Sequence, residues 1–303
     1  MIRTRHASMQ RDVDLAPLTT YKLGGAAAWF ADVEDEDTLH AVLRSAGDVE
    51  LLVLGRGSNL VVSDHGFPGL VIRLVGAFLQ AAINEDGSLT AGAGMPLPRL
   101  ARFATDHDRG GLEFFVGIPG SVGGAVRMNA GGHGSDTATW LLDATILNRL
   151  TLKERSDEPA DLDLAYRHSN LSDADLVVAA RFRTIEQSRA RGDEILRDVT
   201  RWRKQHQPGG TLNAGSVFKN PHGDAAGRII DGLGLKGYRR GGVAVSEVHA
   251  NFFVSNKGAK AQDVWDLVWA IRRRVGDETG VWLEPELRFV GRFEGDEGPE
   301  VRS

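Results

Sequence analysis

The 303-residue chain contains no cysteine. Disulfides, thiolate nucleophiles, iron–sulfur clusters and cysteine zinc sites are thereby excluded together. A reducing compartment is consistent with that composition. Excess charge of one sign is scarce as well: 36 Lys and Arg against 41 Asp and Glu give a net charge of −5, which leaves no broad basic footprint for nucleic acid. No apolar run approaches the length of a membrane span, and the opening MIRTRHASMQRDVD lacks the apolar stretch of a signal peptide. No metal-ligand cluster is visible. The expectation is a cytoplasmic enzyme or binding protein with neither a nucleic-acid partner nor membrane insertion.

What the chain has in plenty is glycine, with 37 residues gathered at GRGSN (55–59), AGAG (91–94), GIPGSVGGAVRMNAGGHGSD (117–136), PGG (208–210) and GLGLKGYRRGG (232–242). No period of 20–50 residues links these clusters, which argues against a solenoid or propeller. Hydrophobic residues at 42% and charged residues at 25% supply a core of ordinary size. The length suits two domains, or one large domain with an appended one.

Strand and helix signals are mixed along the chain, giving an α+β or mixed α/β class. DEDTLHAVLRSAG (35–47) has an acidic start, helical spacing of Leu39, Val42, Leu43 and Ala46, and a terminal glycine. PLPRLARFATDHD (96–108), DEILRDVTRWRKQH (193–206) and AGRIIDGLG (226–234) also read as helices, with Ile195, Leu196, Val199 and Trp202 on one face of the second. AQDVWDLVWAIRRRVGDETG (261–280) is the clearest helix, with Val264, Leu267, Val268, Ile271 and Val275 as its stripe and Arg272, Arg273 and Arg274 toward its C-terminal end. Strands are expected at 50–55, 60–63, 69–76, 140–149, 176–185, 248–256 and 281–291. The polar run EQSRARGD (186–193) marks a boundary. The expected division is an N-terminal segment (1–20), a domain over 21–187 split into two lobes near 76, and a C-terminal domain over 188–303.

GRGSN lies between two strands, so no helix opens behind it, which argues against a Rossmann fingerprint. It reads either as a glycine-rich β-turn or as an anion nest of successive N–H groups. In GIPGSVGG, Ile118-Pro119-Gly120 signals a tight turn, and Gly123-Gly124 leave bare backbone against which a flat ligand could lie. Asn129 offers an amide nearby. Two such loops would suit a cofactor with a pyrophosphate and a large planar ring.

Six motifs occur in register: GRGSN, GIPGSVGGAVRMNAGG, AYRHS (165–169), NAGSVFKNP (213–221), GLKGYRRGGVAVSEVHANFFVSN and WLEPELRFVG. In this order they resemble the UDP-N-acetylenolpyruvoylglucosamine reductase family, in its shorter second type, from about Leu18 to Gly291. The resemblance implies a two-lobed FAD-binding region of the vanillyl-alcohol-oxidase (PCMH) type and a C-terminal substrate domain. It implies non-covalent FAD, NADPH as co-substrate, UDP-N-acetylglucosamine enolpyruvate as substrate, and a place in peptidoglycan precursor synthesis. A cytoplasmic monomer is expected.

By the same resemblance Ser216 is the proton donor, Arg167 the arginine that meets the substrate carboxylate and developing oxyanion, and Glu286 the carboxylate that orients them. Read without the resemblance, Ser216 is a turn serine and Arg167 a solvated surface residue. Glu284 and Glu286 likewise share one strand face by period. FAD contacts are expected from Gly55, Arg56, Gly57, Ser58 and Asn59, which meet the pyrophosphate. Gly117, Ile118, Pro119, Gly120, Ser121, Gly123 and Gly124 are expected under the ribityl and ring end, and both loops act chiefly through backbone N–H groups. Lys219 and Asn220 are expected at the substrate diphosphate, with Tyr238, Arg239 and His249 as further substrate-side residues; His249 equally suits a structural role. His206 and Ala26 depart from the family pattern. A flavin oxidase with a tethered cofactor is disfavoured because there is no cysteine and no histidine in GRGSN. A non-catalytic binding protein would keep the glycine loops without needing Ser216, Arg167 and Glu286.

Overall fold

A computed structural model describes residues 9–295. The part of the expected N-terminal segment before residue 9 lies outside them. The chain divides into two compact units: 9–11, 29–56 and 69–203 make the first, and 12–28, 57–68 and 204–295 the second. The division thus falls after Arg203 rather than at 188, and two early segments join the C-terminal unit. Helix, sheet and irregular backbone alternate through both, an α+β class.

A four-stranded sheet is ordered Gln10–Asp14, Ala26–Val33, Phe67–Leu74 and Leu51–Val53, and most of the first unit's share of it comes from 29–33, 51–53 and 69–74. Helix α1 (Glu36–Ala46) contributes Leu39, Val42 and Leu43 to the same buried cluster as Ala31, Val33, Leu70 and Ile72. Asp35 caps it, accepting the Thr38 N–H at 2.8 Å. A second, five-stranded antiparallel sheet runs Glu154–Asp157, Leu141–Asn148, Asp175–Phe182, Leu89–Gly92 and Ala81–Ile83. Helix α2 (Leu97–Asp106) buries Leu100, Ala101 and Ala104 in that core. Helices α3 (Val122–Arg127), α4 (Thr137–Trp140) and α5 (Arg189–His206) complete the unit up to Arg203. On α5, Leu196 and Val199 are buried as expected, whereas Trp202 is 45% exposed and sets its ring edge-on to His133.

The second unit is built on α6 (Ala226–Gly232) and α7 (Ala261–Thr279), with a three-stranded antiparallel sheet of Arg239–Arg240, Val243–Val245 and Phe253–Ser255. The expected stripe of α7, Val264, Leu267, Val268, Ile271 and Val275, is wholly excluded from solvent. The arginine run behaves differently from a solvated helix end. Arg272 is 2% exposed and donates its Nε–H to Leu283 O at 3.0 Å, while Arg274 pairs with Glu278. Two expected strands shorten. Only Phe253–Ser255 of 248–256 is extended, because Phe252 N–H turns back to His249 O. Of 281–291 only Arg288–Val290 forms a strand, in parallel with Leu60–Val62, while Pro285 makes a single antiparallel bridge to Phe218. Pro285, which has no N–H to give a ladder, lies just upstream.

Candidate functional site

The first glycine loop leaves the strand Leu51–Val53 and is pinned by its own turn. Gly57 has φ +59°, and a Cβ there would lie 2.5 Å from Leu18 O and 2.8 Å from Thr19 Cα. Thr20 fastens the turn by donating its N–H and its hydroxyl to Gly57 O at 3.1 and 3.3 Å. Among the described residues, none of the five N–H groups from Gly55 to Asn59 donates to a protein acceptor. Backbone donors held in a fixed turn without protein partners are suited to an anion. The loop therefore fits a pyrophosphate, with the exposed Arg56 adding positive charge.

The second stretch is arranged differently from the bare loop expected. After the turn at Ile118–Gly120, Ser121 caps α3, and its Oγ faces the Gly124 N–H at 3.5 Å. Ile118, Gly120, Val122 and Gly123 donate their N–H groups to Phe115, Ile118, Met95 and Ala93. Those four amides are thus occupied, which corrects the expectation that this stretch serves a cofactor mainly through N–H groups. Gly123 is needed for packing, since a Cβ there would sit 3.0 Å from Ala93 Cβ. The two loops do meet: a Cβ at Gly55 would stand 2.5 Å from Ser121 Oγ. What this stretch offers a flat ligand is a side-chain-poor backbone within the first unit.

Arg167 rides on a loop fastened to that same stretch. Arg127, on the last turn of α3, donates to the carbonyls of Leu171, Ser172 and Asp175 at 3.3, 2.9 and 2.6 Å. Ser169 Oγ donates back to Arg127 O at 2.6 Å. Asn129, 3% exposed and at φ 39°, donates from Nδ2 to Ala165 O at 3.0 Å and accepts the Ala138 N–H at 2.9 Å. Its amide is consumed inside the fold and holds the Ala165–His168 turn. Arg167 itself has φ 54°, places its guanidinium 5.1 Å from the Tyr166 ring centroid and donates to Gly131 O at 3.1 Å.

Ser216 and Glu286 come together in the second unit. Asn213 Oδ1 accepts the Gly215 N–H at 3.0 Å, and that turn presents the half-buried Ser216 opposite Phe252. Glu286 N–H donates to Val217 O at 2.8 Å, and its carbonyl accepts from Asn59 Nδ2 at 2.8 Å. The serine and the carboxylate thus stand on neighbouring extended segments. Glu284 is set apart from Glu286 by its partner, since Lys219 Nζ meets Glu284 Oε1 at 2.5 Å. The same pair engages the lysine expected at the diphosphate. Asn220 Oδ1 accepts the Ala226 N–H at the start of α6 at 3.0 Å. Tyr238 packs against the core under Arg240, and Arg239 is exposed. His249 Nδ1 accepts the Asn251 N–H at 3.2 Å, and burial pushes its pKa down.

One organising residue of this region was not anticipated. Asn251, 3% exposed, accepts the Phe218 N–H at 2.9 Å and donates to Phe218 O at 2.8 Å, fixing the segment beside Ser216. A lone asparagine inside the apolar run ANFFVS was the signal that could have found it.

Residues 27–149 match the family described as FAD binding domain, so the chain is of the flavin-binding class. Residues 207–290 match the C-terminal domain of UDP-N-acetylenolpyruvoylglucosamine reductase. A UDP-N-acetylenolpyruvoylglucosamine reductase of a Synechococcus species is 42% identical over 297 residues, covering 94% of this chain and 95% of its own length. One from Erythrobacter litoralis is 41% identical, covering 92% and 86%. The crystal structure of UDP-N-acetylenolpyruvylglucosamine reductase from Thermus caldophilus superimposes with a TM-score of 0.82 at 36% identity, covering 94% of this chain and all of that one. The chain belongs to the UDP-N-acetylenolpyruvoylglucosamine reductase family.

Proposed function

We propose that the chain reduces the enolpyruvyl ether of UDP-N-acetylglucosamine to the lactyl ether of UDP-N-acetylmuramate, with NADPH as electron donor and non-covalently held FAD as carrier. The observation that carries the reading is the pairing of Ser216 and Glu286 on adjacent segments, joined by the 2.8 Å bond from Glu286 N–H to Val217 O. When bound, the flavin supplies a two-electron relay from the nicotinamide to one carbon of the substrate double bond. The protein must then manage the charge that results. Negative charge develops on the second carbon and spreads to the adjacent carboxylate, so a cation and a proton donor are required.

The Ser216 hydroxyl delivers its proton to that carbon, a transfer an enolate is basic enough to accept, and solvent returns the proton to the oxygen. Arg167 pairs with the carboxylate and its growing charge through its planar fork. Glu286 orients the donor. Overall, NADPH and one proton are consumed and a carbon–carbon double bond is reduced by two electrons. The Gly55–Asn59 amides hold the diphosphate of the cofactor. Lys219, Asn220, Tyr238 and Arg239 serve the substrate, and Lys219 must exchange Glu284 for a phosphate to do so. A UDP-sugar substrate and NADPH suit a cytoplasmic reaction in peptidoglycan precursor synthesis. Among the described residues no helix is long and apolar enough to cross a membrane.

The purified protein should be yellow, release its flavin on denaturation, bleach anaerobically with NADPH, and recover its oxidised spectrum on adding UDP-N-acetylglucosamine enolpyruvate. Absence of flavin, or no recovery with that substrate, would sink the reading.

A further inference from the structure

Asn59 belongs by sequence to the glycine loop, yet its side chain faces away from that task. Nδ2 donates to the carbonyl of Glu286 at 2.8 Å across 227 positions of sequence. Its own carbonyl accepts the Arg288 N–H at 2.9 Å, and the next residue, Leu60, opens the parallel pairing with Arg288. Asn59 therefore brackets Glu286, binding the chain at that residue and two residues beyond. The other side of Glu286 is fixed by its N–H bond to Val217 O. With both its N–H and its C=O engaged, the backbone orientation of Glu286 is set, and so is the direction in which its Cα–Cβ bond leaves the chain.

We propose that Asn59 is a positioning residue for Glu286, which links the anion-binding loop to the carboxylate of the reduction step. The inference rests on the reading of Glu286 given above. A diphosphate held by the Ser58 and Asn59 N–H groups fixes the Asn59 backbone. The Asn59 amide then holds Glu286 at the angle the reaction needs. Loop occupancy and carboxylate geometry are thereby joined through a single side chain.

The test is a double-mutant cycle on the flavin-loaded enzyme, with Asn59→Ala, Glu286→Ala and the double variant. The two half-reactions are followed separately by stopped-flow absorbance. Asn59→Ala should slow reoxidation by UDP-N-acetylglucosamine enolpyruvate by about 10- to 100-fold, the penalty for a displaced functional group. It should slow reduction by NADPH at least about tenfold less than that. In the Glu286→Ala background, adding Asn59→Ala should change reoxidation by no more than about twofold, because coupled residues are not additive. Full multiplicative loss in the double variant would overturn the proposal, as would equal loss in both half-reactions, which would make Asn59 a cofactor residue alone. Unchanged reoxidation in Glu286→Ala would remove the role of Glu286 itself, a result distinct from failure of Asn59→Ala. If Asn59→Ala does not fold, Asn59→Asp keeps the size but sets an acceptor against the Glu286 carbonyl. Asn59→Asp should be at least as slow in reoxidation while remaining yellow, and wild-type reoxidation would refute the proposal.

Discussion

Replacing Asn129 with alanine removes the amide that ties the Arg167 loop to the glycine stretch, and the cost follows from three terms. Two short hydrogen bonds are lost, Nδ2 to Ala165 O at 3.0 Å and Ala138 N–H to Oδ1 at 2.9 Å, with a long third from Nδ2 to Asp136 Oδ2 at 3.4 Å that adds little. Ala165 is exposed and Ala138 half-buried, so water can partly replace each bond, and about 1 kcal/mol apiece is appropriate. The backbone at φ 39° lies in the left-handed region, where alanine costs about 1 kcal/mol more than asparagine. The total is about 3 kcal/mol. Asn129→Gly loses the same bonds but tolerates the dihedral, so it should be the milder change. Urea unfolding followed by circular dichroism gives the free energies, and hydrogen exchange at Ala138 localises the opening. A loss below about 1 kcal/mol in Asn129→Ala, or a glycine variant worse than the alanine one, would refute the reasoning.

Arg127→Lys keeps the charge but cannot reach three carbonyls in one plane, so amides across 171–175 should exchange faster while α1 is unaffected; equal protection would count against the clamp. Gly57→Ala combines φ +59° with a Cβ 2.5 Å from Leu18 O, and should lower stability by roughly 2 kcal/mol or more together with flavin content; a normal melt with full flavin would contradict it. Burial depresses the pKa of His249, aided by Lys236 and opposed by Asp231. The unfolded chain therefore binds the extra proton first, and stability present above the ordinary histidine value is lost as pH falls through the folded value. His249→Asn should flatten that slope in melts between pH 7.5 and 5, and an unchanged slope would refute the assignment. Ser216→Ala should spare flavin reduction by NADPH while nearly abolishing product; parallel loss of both half-reactions in a folded protein would remove its role as proton donor.

The sequence by itself determined the elements whose signals are local. Helix α1 follows from the Asp35 cap and its apolar spacing, and α7 from a stripe that the fold buries completely. The strands at 141–148 and 175–182 likewise lie where β-branched and apolar runs put them. Local signals failed where a neighbour competes. An apolar run made 248–256 look continuous, but the turn closing on His249 claims half of it. Gly123 and Gly124 hid α3, whose helical turn is stabilised by the Ser121 cap and by packing on Ala93 rather than by propensity. The family motifs named Ser216, Arg167 and Glu286, yet nothing local separated Glu286 from Glu284. In the folded chain Lys219 takes Glu284, and Asn59 with Val217 fixes Glu286. Asn251 and Asn129 hold the Ser216 and Arg167 segments in the same way, each through a side-chain amide bonded to a distant backbone. An asparagine looks alike in sequence whether it meets solvent, a ligand or a carbonyl. Only the tertiary fold brings its partner within 3 Å, because that pairing depends on chain closure over tens to hundreds of residues.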